Sequence, residues 1–216
     1  MSQPSKILSR KQRRRQSPIE VEDAITPTPV LQPPPEMASI RILVCSVGNP
    51  GPYANTFHSA GHIVLSAVAN SLSYPSFSKS RPHGNGLISA GSEFTLWQST
   101  SYMNVSGTGV AAAWRVFERE AGEAKLVVVH DELELPLGQV KVRPGSNSAK
   151  GHNGLKSING LIRGEYTRVG VGIGRPASRE PDVVAAYVLK KMNGMEKSKI
   201  EGCAGKVVDE LRRIAG

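Results

Sequence analysis

The 216-residue chain predicts an α/β fold: a single globular domain whose mixed, mostly parallel sheet is flanked by helices, preceded by a disordered N-terminal tail. Three observations carry this. From residue 40 onward, short apolar runs alternate with longer amphipathic stretches, the pattern of strands joined by crossover helices. Hydrophobic residues make up 39% and charged residues 21%, which supplies a core and excludes wholesale disorder. The first 36 residues break the pattern. They hold seven of the 15 prolines (Pro4, Pro18, Pro27, Pro29, Pro33, Pro34, Pro35) and the basic run Lys11-Gln12-Arg13-Arg14-Arg15. Proline at that density opposes helix and sheet, so residues 1–38 are expected as a basic, Pro-rich tail and 39–216 as the folded domain. Lysine and arginine in the first 18 residues, with no acid, also suit an organellar presequence, although Gln12 to Arg15 shows no clear amphipathic face.

The elements follow in order. Ile40 to Val47 is an apolar strand closed by Gly48-Asn49-Pro50-Gly51. Thr56 to Leu72 has helical spacing, with Ile63, Val64, Ala67 and Val68 on one face. Gly86 to Ala90 and Glu93 to Trp97 read as strands around a Gly91-Ser92 turn. Asn104 to Glu120 is a second helix, Lys125 to Val129 a buried strand, and Gln139 to Arg143 an alternating one. Helices are expected over Gly154 to Arg163, Glu180 to Leu189 and Met195 to Ile214, with a strand at Arg168 to Ile173.

Composition removes several function classes. No run of about 18 apolar residues exists, so the sequence offers no transmembrane helix. Cys45 and Cys203 cannot build a disulfide framework, and no secretory core precedes them, which points to a reducing, intracellular compartment, cytoplasmic or mitochondrial. Aromatics at 5% argue against a broad base-stacking surface. The net charge is +9, of which the tail holds +2, so the domain itself is basic and suited to polyanions such as nucleic acid. There is no G-x-G-x-x-G, no P-loop and no G-x-S-x-G elbow, which disfavours dinucleotide binding, ATPase and serine-hydrolase chemistry.

Ligands of open α/β sheets bind beyond the carboxyl ends of strands. Four polar loops occupy such places: Gly48 to Gly51, Ser101 to Asn104, His130 to Leu133, and Gly145 to Gly154. Any one of them is ordinary turn composition; four together favour a shared site. His58 and His62 have the i, i+4 spacing of a zinc pair, but the glutamate that a metalloprotease helix needs after the first histidine is Ser59 here. What remains is metal-free acid–base chemistry. A histidine such as His58 needs a carboxylate such as Asp131 to fix its tautomer, and asparagine amides can donate to a developing oxyanion.

Five segments resemble, in order, the motifs of bacterial-type peptidyl-tRNA hydrolases. The first is Gly48-Asn49-Pro50-Gly51 with Tyr53 to Thr56, His58 and Gly61. The second is Tyr102-Met103-Asn104 with Ser106-Gly107, and the third His130-Asp131-Glu132-Leu133 with Pro136 and Gly138. Gly151-His152-Asn153-Gly154-Leu155-Lys156 and Val171-Gly172-Ile173-Gly174-Arg175-Pro176 complete the set, and the resemblance covers roughly residues 40–190. The resemblance implies a single α/β domain that hydrolyses the ester between a peptide and the 3′ end of tRNA, with no metal or organic cofactor. It implies that His58 is catalytic and Asp131 orients it, that Asn49, Asn104 and Asn153 position substrate, and that Tyr53, Met103 and His152 line the same cleft. Lys141, Arg143, Lys150 and Lys156, near the fourth motif, are candidates for tRNA phosphates. The expected partner is peptidyl-tRNA, with no membrane, and the expected state a monomer.

The chain departs from the family pattern beside His58. Phe57 and Ser59 stand where the family usually has Arg and Asn, and one residue is missing between Gly51 and Tyr53. Ser146, Asn147 and Ser148 occupy a loop that is richer in glycine in bacterial members. These departures keep open a catalytically reduced RNA-binding protein on the same fold; retention of His58, Asp131 and all three asparagines weighs against it.

Overall fold

The computed structural model describes residues 40–163 and 165–216. The expected tail and presequence lie outside the described residues. One seven-stranded sheet comprises β1 (Arg41–Ser46), β2 (Ser78–Lys79), β3 (Leu87–Ala90), β4 (Phe94–Gln98), β5 (Ala124–Glu132), β6 (Val140–Pro144) and β7 (Thr167–Gly172). Their spatial order is β2-β3-β4-β1-β5-β7-β6. The four central strands, β4, β1, β5 and β7, run parallel, and antiparallel β3 and β6 flank them. The expected mixed, mostly parallel sheet is therefore present. The helices are α1 (Ala60–Ser71), α2 (Ser106–Ala121), α3 (Asn153–Ile162), α4 (Pro181–Val188), α5 (Gly194–Glu201) and α6 (Ala204–Ala215).

Two cores sandwich the sheet. Ile42, Val44, Val127, Val129, Val169 and Val171 face α1, α5 and α6 through Val64, Val68, Ile200, Val207 and Leu211. Leu43, Cys45, Leu126 and Val128 face the other way, against Val110, Phe117, Leu155 and Ile158 of α2 and α3. This alternation is the period of two that a strand covered on both faces requires. Strand order reverses at β1, which has β4 on one side and β5 on the other. A crevice forms at such a reversal, and the loops after β1 and β5 open into it.

Three elements differ from expectation, each for a local reason. Thr56 to Leu72 is not one helix: a 3-10 turn at Phe57–Ser59 precedes α1, so His58 sits on a tight turn beside the carboxyl end of the central strand β5. The expected helix from Met195 to Ile214 breaks at Gly202 and Cys203, where glycine's low helix propensity lets α5 and α6 each turn an apolar face inward. Finally, β5 runs on through His130, Asp131 and Glu132, which were expected in a loop. Their polarity hid the strand, but the ladder to Gly170, Val171 and Gly172 of β7 continues unbroken.

The approach of α1 to the sheet is close. A Cβ at Gly61 would lie 2.7 Å from the Val129 carbonyl oxygen and 2.9 Å from that of Val47. Gly61→Ala should gain ~1 kcal/mol of helix propensity but lose ~1–3 kcal/mol to overpacking against immovable backbone. The expected outcome is a net loss, read as a lower midpoint of urea unfolding at unchanged slope.

Candidate active site

At the ends of β1 and β5, three side chains converge. Asp131, the penultimate residue of β5, is 3% exposed. The Nδ1–H of His58 donates to both of its oxygens, at 2.9 and 3.0 Å. The Nε2–H of His152 donates to Oδ1 at 3.0 Å. His152 is also the N-cap of α3, and its Nδ1 accepts the Leu155 N–H at 3.3 Å. That cap fixes the His152 proton on Nε2, facing Asp131. His58 is held the other way round, with Nδ1 on the carboxylate and Nε2 free to act on water or substrate. The two imidazole centroids are 5.0 Å apart, and His130 meets His152 edge-on at 5.2 Å.

The electrostatics follow from this geometry. Burial pushes the Asp131 carboxyl up, but the charges of His58 and His152 and their hydrogen bonds hold it well below the usual carboxylate range. Burial alone would push His58 down; the Asp131 charge and hydrogen bond outweigh it and hold the imidazole above the ordinary histidine value. His130 is pushed down to about 3, first by burial and then by His152, so it stays neutral. Its Nδ1–H donates to the Asp131 carbonyl at 2.7 Å.

His58, Asp131 and His152 also open into a cavity of about 480 Å³. Asn153, Leu133, Glu134, Arg175 and the α4 residues Val184, Ala185 and Val188 complete much of its wall. Asn104 and Asn153 are exposed carboxamides, whereas Asn49 is 6% exposed. The Asn49 oxygen accepts the Met103 N–H at 2.9 Å, which leaves its NH2 as the donor. Met103 is itself 4% exposed and belongs to the second core. Expected in the cleft lining, it packs instead against α3, where any Cβ at Gly154 would collide with its Sδ. Tyr53 is exposed, and its carbonyl accepts from Thr56 and Ser59 hydroxyls, both at 2.8 Å.

The departures from the family pattern are accommodated. Ser59 is fully buried and also accepts the Asn49 N–H at 3.0 Å, so it stitches the first motif to the His58 turn. The shortened loop closes as one 3-10 turn, Gly51–Tyr53, with Gly51 at φ +62°, a conformation glycine adopts without strain. Phe57 is buried.

The cations are unequal. Lys141, Lys150 and Lys156 are exposed. Arg143 is only half-exposed, with its Nε enclosed, because it stands opposite Arg168 in the ladder just before a turn. Of the two β6 candidates for tRNA phosphates, Lys141 is thus the more open to solvent. Arg168, which sequence reasoning passed over, is 2% exposed. Its guanidinium donates to the carbonyls of Asn147 (3.3 Å) and Ser148 (3.0 Å), clamping the loop that leads to His152.

Among the described residues, His58, Asp131 and His152 are the group close enough to hold a metal ion. They do not fit one as arranged. Both histidine nitrogens facing Asp131 carry protons, and a cation at His152 Nε2 would require losing the α3 cap. His62 is not part of this group. Its Nδ1 pairs with Ser46 Oγ at 2.8 Å, and burial pushes it down to about 4.

Of the carboxamides expected at the site, Asn153 lines the cavity, and Asn49, Asn104 and Tyr53 stand outside its wall; a carboxylate-backed histidine with Asn153 on an apolar-walled cavity at the carboxyl end of β5 forms the arrangement of a hydrolase. Comparison with known proteins sharpens the class. The family model described as peptidyl-tRNA hydrolase matches residues 43–216, and the chain belongs to that family. It is 42% identical over 165 residues to a peptidyl-tRNA hydrolase of Methylocella silvestris, covering 74% of this chain and 80% of the relative. It is 40% identical over 168 residues to a probable peptidyl-tRNA hydrolase of Schizosaccharomyces pombe, covering 76% and 77%. The crystal structure of peptidyl-tRNA hydrolase from Acinetobacter baumannii superposes with a TM-score of 0.66 at 28% identity, covering 82% of this chain and 88% of that one.

Proposed function

We propose that this chain hydrolyses the ester between peptide and tRNA in peptidyl-tRNA, with His58 as general base and Asp131 as its orienting carboxylate. The single observation that carries this reading is His58 Nδ1 held on both oxygens of Asp131, which leaves Nε2 free at the cavity. Water beside Nε2 loses its proton to His58 as its oxygen attacks the ester carbonyl. A base placed in this way contributes roughly 10²–10⁴-fold. Asp131 stabilises the imidazolium that forms, and the proton then passes to the departing 3′ oxygen of the tRNA. Carboxamide donors at Asn49, Asn104 or Asn153 serve the oxyanion and the peptide amide; one oxyanion donor is worth about 10²–10³ in rate. Because neutral carboxamides offer both donor and acceptor, they recognise a peptide bond, which a free aminoacyl ester lacks.

The proposed working unit is a monomer, since one chain supplies every group of the site. The proposed location is intracellular, cytoplasmic or mitochondrial; it is supported by Cys45 and Cys203 being free thiols. Among the described residues no helix is long and apolar enough to cross a membrane. The test of the reading is release of peptide from purified peptidyl-tRNA, followed with the protein at catalytic concentration. Turnover supports it; binding of tRNA without release would favour the RNA-binding alternative.

Lys141, Arg143, Lys150 and Lys156 are proposed to meet tRNA phosphates. Lys141→Glu combined with Arg143→Gln should raise KM with little change in kcat, because phosphate contacts position the nucleic acid without joining the chemistry. Each lost contact should reduce the salt slope of affinity by about one unit. Parental affinity and slope for full-length tRNA would remove these two residues from the interface.

A further inference from the structure

The turn that carries His58 is fastened to α4 and to the segment that follows it. The Phe57 ring, 1% exposed, lies parallel to the Tyr187 ring, with centroids 5.0 Å apart and 11° between planes. The Lys190 ammonium sits 5.7 Å from the Phe57 centroid. The backbones are joined as well. Phe57 N–H donates to the Lys190 carbonyl at 3.3 Å, Met192 N–H to that of Asn55 at 2.9 Å, and Thr56 bridges Lys191. The Tyr187 hydroxyl donates to the Ile173 carbonyl at 2.7 Å, just beyond β7.

Helix α4 needs such fastening. It has eight residues, and none of its side chains is fully buried. Helices shorter than about 12–15 residues are marginal without tertiary support. Tyr187 and Val188 are the α4 side chains that touch the core, while Val184, Ala185 and Val188 give the cavity its apolar wall. We propose that the Phe57–Tyr187 stack is a latch that fixes α4 as the wall of the cavity, and that both residues are positioning residues for the peptide part of the substrate. This rests on the hydrolase reading above. It also gives Phe57, a departure from the family pattern, a task of its own.

The test compares Phe57→Leu, Tyr187→Leu, their combination and Tyr187→Phe with the parent. KM and kcat are measured on tRNA carrying an N-acetylated single residue and on tRNA carrying a tripeptide. Amide hydrogen exchange of residues 181–189 is followed in the free protein. Both leucine variants should raise KM for the tripeptide substrate about three- to tenfold, from loss of one aromatic pair. The rise should be smaller for the shorter substrate, and kcat should change less than about twofold. Exchange in α4 should quicken and the double variant should be no worse than either single one, while Tyr187→Phe, which keeps the stacked ring but loses the bond to the Ile173 carbonyl, should stay nearer the parent than Tyr187→Leu. Unchanged KM and α4 exchange in the leucine variants would overturn the proposal, as would additive losses. A fall in kcat at unchanged KM would also overturn it, placing the stack on the chemistry and not on the wall. Should Phe57→Leu fail to fold, Tyr187→Leu carries the test alone. Parental turnover reports on the hydrolase reading separately, and the exchange measurement needs no substrate.

Discussion

His58→Ala is expected to lower kcat on peptidyl-tRNA by about 10²–10⁴-fold while leaving KM near its parental value. The size follows from the loss of a group whose free imidazole nitrogen faces the cavity while its other nitrogen is held by Asp131. The fold should survive, because Asp131 keeps His152 as a hydrogen-bond partner and is not left as a bare buried charge. Circular dichroism and thermal unfolding of the variant separate lost chemistry from lost structure. Parental turnover by a folded His58→Ala protein would remove His58 from the mechanism.

Asp131→Asn should be nearly as damaging, on the order of 10³-fold or more in kcat, through the wrong tautomer. An asparagine amide can donate to His58 Nδ1, which forces the proton onto Nε2, where the base must be empty. The pH dependence carries the same cause with a definite sign. Burial lowers the His58 pKa and Asp131 raises it above the ordinary value, with Asp131 prevailing. The acid limb of kcat/KM in the parent should therefore lie above the unperturbed histidine value of about 6.5. In Asp131→Asn only the burial effect is left, so the limb of the residual activity should move to lower pH. The double variant with His58→Ala should be no slower than His58→Ala alone. Additive losses, or a limb that stays in place, would mean that the two residues act independently.

Much of this site could be read along the chain because its residues sit where α/β topology puts loops. Asn49 follows β1, Asn104 precedes α2, and Asn153 opens α3. His58 and Asp131, 73 residues apart, were paired on chemistry and resemblance, and they do form a hydrogen bond. What escaped notice depends on contacts without a sequence period. His152 looked like part of a cleft lining, yet it shares Asp131 with His58 and caps a helix at the same time. Arg168 read as one basic residue in a strand; only the register with β6 and the return of the Asn147–Ser148 loop show that it is buried as a clamp. The β5 extension through Asp131 was hidden because polar residues in a strand read as a loop until their ladder partners are known. Those partners include Gly170 and Gly172, where a Cβ would crowd Glu132 or meet the Pro136 carbonyl.

The fold reads more easily than the wall of the cavity. Core strands such as Arg41–Ser46 announce themselves by consecutive apolar residues covered on both faces. Helix α4 was expected as a helix from its composition, but neither its attachment to Phe57 nor its place beside the cavity has a local signal. The stack joins residues 57 and 187, and the identity of each ring makes sense only beside the other.

The proposed carboxylate-oriented histidine should cleave peptidyl-tRNA and discriminate for the peptide amide. The most direct measurement places the purified protein with two substrates built on the same tRNA, one carrying an N-acetylated amino acid and the other the free amino acid. Initial rates are taken in the presence of a chelator. The expected result is multiple turnovers of the acylated substrate, unaffected by chelation, and slow or undetectable hydrolysis of the free aminoacyl ester. Equal rates on both substrates, or release that requires added metal, would contradict it.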